Sequence, residues 1–388
     1  MYNKKHVFFT IIITFVIATM FYMSFGSGMI YSLVLNGGAS ELDKIEKIVE
    51  SAYIFDYNKK TAKDAALSSY VASLGDPYSN YYNEEDFLAL NENLSGNYKG
   101  IGVEVYVDAD DKNITVISAF DGTPAHKAGI KANDKIIKVD NIPVNADNYN
   151  RAISLIKGIE KTTYEDKVDI TLLRDGKEIT VSVNREKIVL QTVSSEMRDN
   201  IAVIRISSFD DHTGEDFIKH LNQIKSKNPK GLVIDLRDNP GGTLDAVTSV
   251  ADQLLPEGTI VSMVDKQGNK QEFKSDKDFY DIPLCVLING SSASASEVLA
   301  GAVRDFERGT LVGTKSFGKG IVQSVINLTD KTALTITTAK YYTPGGECIH
   351  GVGIEPDVKI ESNSTDAVST IKFEDDIQLH KALEMLEG

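Results

Sequence analysis

The second half of the chain alternates short apolar runs with longer amphipathic stretches, and this alternation restricts the fold more than any other feature. Leu284–Ile288, for example, has no polar residue, whereas the stretch at 298–306 carries apolar residues at helical spacing. Such alternation is typical of an α/β domain, in which functional groups lie at the carboxyl ends of the strands. The pattern predicts strands over 201–206, 232–236 and 284–288, and helices over 215–225, 243–255 and 296–306.

The region before this domain divides into a helical part and a mainly β part. Apolar residues at helical spacing indicate helices from about residue 39 to residue 90, interrupted by the helix-breaking Gly75–Pro77. From about residue 94 to residue 185, strand-like segments such as 135–139 and 168–173 predominate. The sequence therefore predicts four parts, over residues 1–38, 39–90, 91–187 and 188–388.

The N-terminus has the composition of a membrane-targeting segment. Lys4 and Lys5 precede a dense apolar core, Val7–Met23, and no charged residue occurs from Val7 to Ser40. Because no Ala-x-Ala cleavage site follows, we expect an uncleaved single-pass anchor in the cell membrane rather than a removed signal peptide. With the lysines on the cytoplasmic side, the remainder of the chain would be extracytoplasmic.

Composition excludes several other classes of protein. The chain has 41 Lys and Arg against 56 Asp and Glu, a formal net charge of −15 that would repel a phosphate backbone, so nucleic acid is not an expected partner. The two cysteines, Cys285 and Cys348, lack zinc-like spacing, and the six histidines are scattered singly. We therefore expect no metal and no cofactor, and we expect Cys285 to be a buried apolar residue.

The β module carries a glycine motif and three further segments that match one known family. The motif is Gly100-Ile101-Gly102-Val103, and the later segments are 122–125, 128–130 and 134–140. Together they closely resemble a PDZ domain. The resemblance implies that N–H groups of this glycine loop bind the terminal carboxylate of a peptide, which adds to the strand edge by β-augmentation. A helix over 149–157 is expected to flank the groove. Its candidate contacts are Ala152, Ile153 and Ile156.

A serine-rich segment, Asn289–Glu297, lies between the apolar strand and the helix that follows it. A serine at a helix N-terminus lies among free backbone N–H groups, which favour the negative charge that develops when a carbonyl is attacked. Capping of the helix requires only one serine, whereas this segment has four. On this segment alone, a nucleophile and a helix cap remain open alternatives.

A second segment, Gly313–Gly320, satisfies most of the phosphate-loop pattern Gly-x4-Gly-Lys-Ser/Thr. Two departures argue against a nucleotide site. Gly320 stands where a hydroxyl must bind Mg²⁺, and the residues after it are β-formers instead of the start of a helix. A membrane NTPase is therefore a minor alternative.

These segments together resemble the carboxyl-terminal processing proteases, a serine peptidase family designated S41. The likeness rests on Ser-Ala-Ser-Ala-Ser-Glu at 292–297, Ser-Phe-Gly-Lys-Gly-x-x-Gln at 316–323, and further segments at 235–242, 342–346 and 351–357. The resemblance implies that Ser294 is the nucleophile, Lys319 the catalytic lysine and Gln323 an assisting residue. The backbone N–H of Ala295 and, by the resemblance, that of Gly242 would form the oxyanion hole.

The chemistry places a requirement on the lysine. A serine hydroxyl needs a neighbouring base, and neither motif contains a histidine. A free lysine has a pKa near ~10.4, so Lys319 must lie among apolar groups that lower its pKa. We expect Phe317, Ile321 and Val322 to form that apolar wall. The amide of Gln323 would orient the amine without adding a charge, whereas a carboxylate would raise the pKa of the lysine.

The expected architecture is an α/β protease core with crotonase-like or ClpP-like βα alternation, an inserted PDZ-like module, an N-terminal helical cap and a transmembrane helix. The expected function is that of a membrane-anchored, exported serine endopeptidase whose PDZ module binds protein substrates by their free C-termini. By the same likeness, residues 39–90 would cap the active site or join two protomers in a homodimer. The alternative is a catalytically silent PDZ scaffold, against which the intact Ser294, Lys319 and Gln323 argue.

Overall fold

The computed structural model describes residues 40–108, 111–159, 166–364 and 367–387, which belong to two compact units, residues 1–70 and 71–388. The predicted anchor at 1–38 lies outside the described residues. Within these four ranges, no helix combines the length and apolar character that a membrane crossing needs. The first helices are α1 (Glu41–Ala52) and α2 (Lys59–Ala72). Ser40 begins α1 by a capping box with Asp43, in which each side chain accepts a hydrogen bond from the other's backbone N–H.

A turn and a short strand follow α2, in a region where the sequence predicts mainly helix. The turn contains Gly75–Pro77, as expected. β1 (Asn80–Tyr82) pairs antiparallel with residues 333–335, and α3 (Glu84–Ser95) continues beyond the predicted boundary at residue 90. Gly96 ends α3 with φ of 64°, a backbone conformation that favours glycine. The segment from 75 to 95 is thus tied to a sheet far along the chain.

The module after α3 is the expected small antiparallel domain. Its sheet has the strand order β3-β4-β5-β7-β8, with β6 on β5, and β2 pairs with β9 where the chain enters and leaves the module. The predicted helix at 149–157 packs on this sheet through buried Ala152, Leu155 and Ile156. The elements are β2 (Asn97–Gly100), β3 (Val103–Val107), β4 (Ile114–Ala119), α4 (Pro124–Lys127), β5 (Lys135–Val139), β6 (Ile142–Pro143), α5 (Tyr149–Lys157), β7 (Lys167–Arg174), β8 (Lys177–Asn184) and β9 (Glu186–Val189).

The rest of the chain forms the α/β core, built on two sheets. Its strands are β10 (Val193–Arg198), β11 (Ile201–Ile206), β12 (Gly231–Asp235), β13 (Gly258–Asp265), β14 (Lys270–Ser275), β15 (Leu284–Ile288), β16 (Thr310–Gly313), β17 (Ile321–Asn327), β18 (Ala333–Tyr342) and β19 (Val358–Lys359). Its helices are α6 (Thr213–Lys225), α7 (Leu244–Asp252), α8 (Ala295–Asp305) and α9 (Ile377–Glu387). The predicted strands and helices of this region are confirmed to within a few residues.

The first sheet explains the apolar runs. Its order is β10-β11-β12-β15-β16-β19, and every pair after β10–β11 is parallel. Residues that alternate along each strand face opposite sides. One side packs against α6, α7 and α8, and the other packs against α9 through Leu379 and Leu383. Cys285 is buried on the α9 side, and this burial raises the pKa of its thiol to about 11.

The second sheet is antiparallel and is not indicated by the alternating pattern. β18 is its central strand and pairs with β17 on one side and with β1 and β13 on the other, while β14 pairs with β13. Ile260, Val261 and Tyr341 of this sheet belong to the same buried cluster as α8. The second sheet therefore packs close to the serine-rich segment.

Candidate active site

Three loops meet at the carboxyl ends of adjacent parallel strands, where an α/β sheet places functional groups. β12 leads into the loop that contains Gly241 and Gly242, β15 leads into the serine-rich segment, and β16 leads into the loop that contains Lys319. Ser294, Lys319, Gln323 and Gly242 all line one cleft of about 520 Å³. The structure thus brings together the residues that the motifs single out.

Ser294 occupies the turn between β15 and α8. It precedes the first residue of α8 and has φ of 54° and ψ of −113°, a conformation that non-glycine residues rarely adopt. Two other serines hold this turn against the β12 loop, because Ser292 Oγ donates to Leu236 O (2.8 Å) and Ser296 Oγ donates to Asn239 O (3.0 Å). Both hydroxyls therefore join two loops of the site.

Glu297 joins the serine loop to the lysine loop. Its carboxylate is fully buried, and one oxygen accepts from the backbone N–H of Ser294 (2.9 Å) and of Lys319 (2.8 Å). The other oxygen accepts from the N–H of Gly318 (2.7 Å) and from Ser316 Oγ (2.5 Å). The sequence contained a signal only for the bond to Ser294, since Glu297 stands three residues after Ser294, the residue before α8, which is the place of a capping-box glutamate.

The Lys319 side chain is half-buried, and burial lowers its pKa below the ordinary value. The charges of Asp76 and Glu297 partly oppose this shift. The Nζ atom lies 4.9 Å from the centre of the Tyr78 ring. Among the described residues, Ser294 Oγ and Lys319 Nζ share the cleft without a direct hydrogen bond. Such bonds between nucleophile and base are often longer before substrate binds.

The apolar wall beside Lys319 differs from the prediction. Phe317 is 58% exposed, so the expectation that it shields the amine is wrong. Its backbone N–H donates to Ser292 O (3.1 Å), which fixes the loop while the ring faces solvent. Ile321 and Val322 do line the cleft, as expected. Further apolar residues that line the cleft include Tyr78, Leu90, Leu94, Leu244, Met263, Val325 and Tyr341.

Gln323 belongs to a hydrogen-bonded chain that ends at Asp76. Gln323 Nε2 donates to Thr337 Oγ1 (3.2 Å), and Thr337 Oγ1 donates to Asp76 Oδ2 (2.6 Å). Burial alone would raise the pKa of Asp76, but hydrogen bonds from Ser79, Thr337 and the Tyr78 N–H outweigh it, and the pKa is lowered. Asp76 is therefore a carboxylate near the lysine, a role that the turn sequence Gly-Asp-Pro did not indicate.

The two glycines after β12 differ in what their N–H groups do. The Gly241 N–H donates to Asn239 Oδ1 (2.8 Å), so it is already occupied. Gly242 has φ of 149°, and a Cβ atom there would lie 1.9 Å from Phe209 O. Within the described residues, neither the Gly242 N–H nor the Ala295 N–H has a hydrogen-bond partner. Both are thus available to a ligand atom, whereas the Gly241 N–H is not.

The PDZ-like groove keeps its glycine loop but loses two predicted contacts. Ile101 is buried in the module core, and Gly102 has φ of 81°, so Gly100-Ile101-Gly102-Val103 forms a turn into β3. β3 pairs with β4 alone among the described strands, which leaves its other edge open. Ala152 and Ile156 lie in the module core, so their assignment to the groove is wrong, because α5 needs these side chains to pack on its sheet.

Comparisons with known proteins agree with this architecture. The PDZ-domain profile matches residues 99–184, and the peptidase family S41 profile matches residues 200–360. Carboxy-terminal processing protease CtpA of Bacillus subtilis is 35% identical over 371 residues, which cover 93% of this chain and 78% of that protein. The carboxy-terminal-processing protease of Bartonella bacilliformis is 37% identical over 325 residues, which cover 81% of this chain and 73% of that protein.

A solved structure has the same fold. A crystal structure from Bacteroides fragilis, assigned to the S41 proteases, superposes with a TM-score of 0.54 at 15% identity, covering 89% of this chain and 97% of that chain. The fold and these relatives together define a serine-type endopeptidase with a PDZ domain. The chain belongs to the carboxyl-terminal processing proteases of peptidase family S41.

Proposed function

We propose that Ser294 is the nucleophile of this peptidase and Lys319 its general base. One observation carries the proposal: a lysine whose pKa is lowered by burial shares a cleft with a serine, and the backbone N–H groups of both bind one oxygen of Glu297. That oxygen fixes the two loops relative to each other. A neutral amine near a serine hydroxyl meets the requirement for activating a nucleophile without histidine.

The reaction follows from these positions. Ser294 Oγ attacks the scissile carbonyl carbon while its proton passes to the neutral amine of Lys319. The N–H groups of Gly242 and Ala295, which have no other partner among the described residues, donate to the developing oxyanion. The Lys319 ammonium then gives its proton to the leaving amine nitrogen, and water hydrolyses the acyl-enzyme. Gln323 assists, because its Nε2 is held by Thr337 and its Oε1 remains an acceptor for the lysine amine.

Single substitutions with matched controls test the roles of the serine and the lysine. Ser294→Ala and Lys319→Ala should each reduce hydrolysis of an unfolded protein by roughly 10³-fold or more, since each removes a member of the catalytic unit. Ser291→Ala and Lys315→Ala change the exposed serine and lysine of the same loops and should retain activity. Parental activity in Ser294→Ala or Lys319→Ala would overturn these roles. Correctly folded parental protein without any hydrolysis would favour the silent scaffold.

The PDZ domain supplies the proposed mode of substrate recognition. Its glycine loop turns into an open strand edge, and the Gly102 N–H has no partner among the described residues, so the loop can bind a terminal carboxylate. We expect a peptide substrate to lose affinity when its C-terminal carboxylate is replaced by a carboxamide. The measurement is KM for the two forms of one peptide. Equal KM values would exclude recognition of the terminus.

Two further features of the proposal concern the N-terminal part of the chain. The apolar segment 7–23 would anchor the protein in the cell membrane with the protease outside, and α1 exposes Leu42, Ile45 and Ile48, which favour a homodimer. The full chain should float with membranes and be degraded by protease added to intact spheroplasts. A chain that starts at residue 39 should be released but should still sediment as a dimer. If the full chain does not float with membranes or is not degraded, the external membrane anchoring is excluded. If the shortened chain sediments as a monomer, the homodimer is excluded.

A further inference from the structure

A β-bulge beside the catalytic cleft determines which side chain lies opposite Gln323. On β17, Val322 lies opposite Ala339 of β18. The next residue, Gln323, lies opposite Thr337, so the register shifts by one residue and Thr338 has no opposite residue on β17. Bulges of this kind redirect a side chain and occur often beside active sites. Here the bulge brings the Gln323 amide against the hydroxyl of Thr337.

Thr337 is held by Asp76 and Ser79, two residues of the turn before β1. Its hydroxyl donates to Asp76 Oδ2 (2.6 Å), and its backbone N–H donates to Ser79 Oγ (3.1 Å). Burial alone would raise the pKa of Asp76, but its hydrogen bonds outweigh burial and lower the pKa, so the carboxyl is ionised at neutral pH and acts only as an acceptor. The single hydroxyl hydrogen of Thr337 is thereby donated to Asp76.

The ionised Asp76 fixes the orientation of the Gln323 amide. The oxygen and nitrogen of an amide have nearly the same size, so shape alone does not distinguish its two orientations. A hydroxyl whose hydrogen is already donated can only accept, and Gln323 Nε2 donates to Thr337 Oγ1 (3.2 Å). Gln323 Oε1 has no hydrogen-bond partner within the described ranges, and Gln323 lines the same cleft as Lys319.

The orientation of this amide matters because a neutral amine has one lone pair and two N–H groups. A base must keep its lone pair free to take the proton of the nucleophile. Gln323 Oε1 would accept an N–H of Lys319 and leave the lone pair to Ser294 Oγ. A reversed amide would instead donate an N–H to the lone pair, and the amine could not accept the proton of the serine.

We propose that Thr337 and Asp76 are positioning residues that hold the Gln323 amide in the orientation the lysine requires. They keep Oε1 towards Lys319, which leaves the lone pair of the amine available to Ser294. The inference rests on the proposed function of that serine and lysine. Thr337 is not among the residues that line the cleft, so it acts through Gln323 and not on the substrate.

Thr337→Val tests the role of the hydroxyl with a side chain of nearly the same shape. We expect kcat to fall roughly tenfold while KM changes by less than about twofold, because the amide loses the acceptor that orients it. Thr337→Ser keeps the hydroxyl and should retain kcat to within about threefold of the parent. Thr338→Val is the matched control and should match the parent, because the Thr338 hydroxyl shares a hydrogen bond with Ser324 Oγ (2.7 Å) and not with Gln323.

A double-mutant cycle separates the orientation of Gln323 from general damage to the sheet. In a Gln323→Ala background, Thr337→Val should lower kcat by no more than about twofold, because no amide remains to be oriented. A loss of roughly tenfold in both backgrounds would mean that the role of Thr337 is structural, and it would overturn the proposal. Parental kcat in Thr337→Val with Gln323 intact would overturn it as well.

Asp76→Asn provides a second measurement, so that the proposal can be tested even if Thr337→Val does not fold. The amide of asparagine can donate to Thr337, which frees the hydroxyl hydrogen and permits the reversed orientation of Gln323. The plateau of kcat above its acid limb should therefore fall roughly threefold. An unchanged plateau would overturn the role of Asp76. Parental activity of Lys319→Ala would instead refute the proposed base, and with it the proposed function.

Discussion

The serine and lysine halves of the cleft are held in different ways. Ser294 lies in a turn between a buried strand and a buried helix, and hydroxyl bonds from its neighbours Ser292 and Ser296 fix that turn to the β12 loop. Lys319 precedes an edge strand, and its amine lies near the Tyr78 ring and the charge of Asp76. The position of Ser294, the proposed nucleophile, therefore depends on local chain geometry, whereas the pKa of Lys319, the proposed base, also depends on a segment from the start of the second unit.

Glu297 is the residue that joins the two halves, and its loss should have the largest effect. Glu297→Ala leaves four buried or partly buried donors without an acceptor, which should lower the free energy of unfolding by about 4 kcal/mol. Because both loops lose their common anchor, kcat should fall by roughly 10³-fold. Denaturant unfolding and kcat on an unfolded protein measure the two effects. Glu355→Ala, an exposed glutamate paired with Lys315, is the control and should change neither.

The serine half was largely predictable from the sequence, because its parts are contiguous. An apolar strand, small residues and an amphipathic helix in succession specify a strand–turn–helix unit, and α8 begins within one residue of the prediction. The role of Glu297 towards Lys319 was not predictable, since Gly318 and Lys319 reach its carboxylate only when β16 and β15 lie side by side. A capping-box pattern indicates the bond to Ser294 but says nothing about a second loop.

For the lysine half, the sequence motif identified Lys319 but not the residues that surround its side chain. Tyr78 and Asp76 reach the lysine because β1 pairs with β18, a contact between residues far apart in the chain that no local pattern indicates. The Phe317 prediction failed for a related reason. Its backbone is bound to the serine loop, and its side chain is directed away from the cleft, so nearness in sequence to Lys319 did not give nearness in space.

The second prediction tests whether local chain geometry fixes the position of Ser294. Gly241 has φ of 100°, and a Cβ atom there would lie 2.8 Å from Ser294 Cβ and 2.7 Å from Ala293 O. Gly241→Ala should therefore displace the serine turn and reduce kcat by roughly 10²-fold. Gly268→Ala is the matched control, because Gly268 has φ of 86° but no neighbour within 4 Å of the added atom. Equal losses in both variants would mean that backbone strain, not contact with the serine, is responsible.

The third prediction concerns charge near the base. In the proposed mechanism Lys319 acts when neutral, so activity should rise as the pH passes upward through its pKa, which burial lowers. The Asp76 carboxylate favours the ammonium, so Asp76→Asn should move the acid limb of the kcat/KM profile to lower pH, by about one unit. Gln323→Glu adds a carboxylate and should move the same limb to higher pH. The exposed Asp330→Asn should leave it in place, and shifts of equal sign in the two test variants would contradict this electrostatic account.

The smallest expected effect is that of the Tyr78 ring on the pKa of Lys319, which can be measured separately from the effects of nearby carboxylates. An aromatic face stabilises a nearby ammonium, so it opposes the lowering of the Lys319 pKa by burial. Tyr78→Leu keeps apolar contact but removes the ring, and should move the acid limb to lower pH by about half a unit. Tyr78→Phe keeps the ring and should match the parent. If Tyr78→Phe shifted the limb as far as Tyr78→Leu, the hydroxyl would be responsible, and the lysine half would depend on a polar contact rather than on the aromatic face.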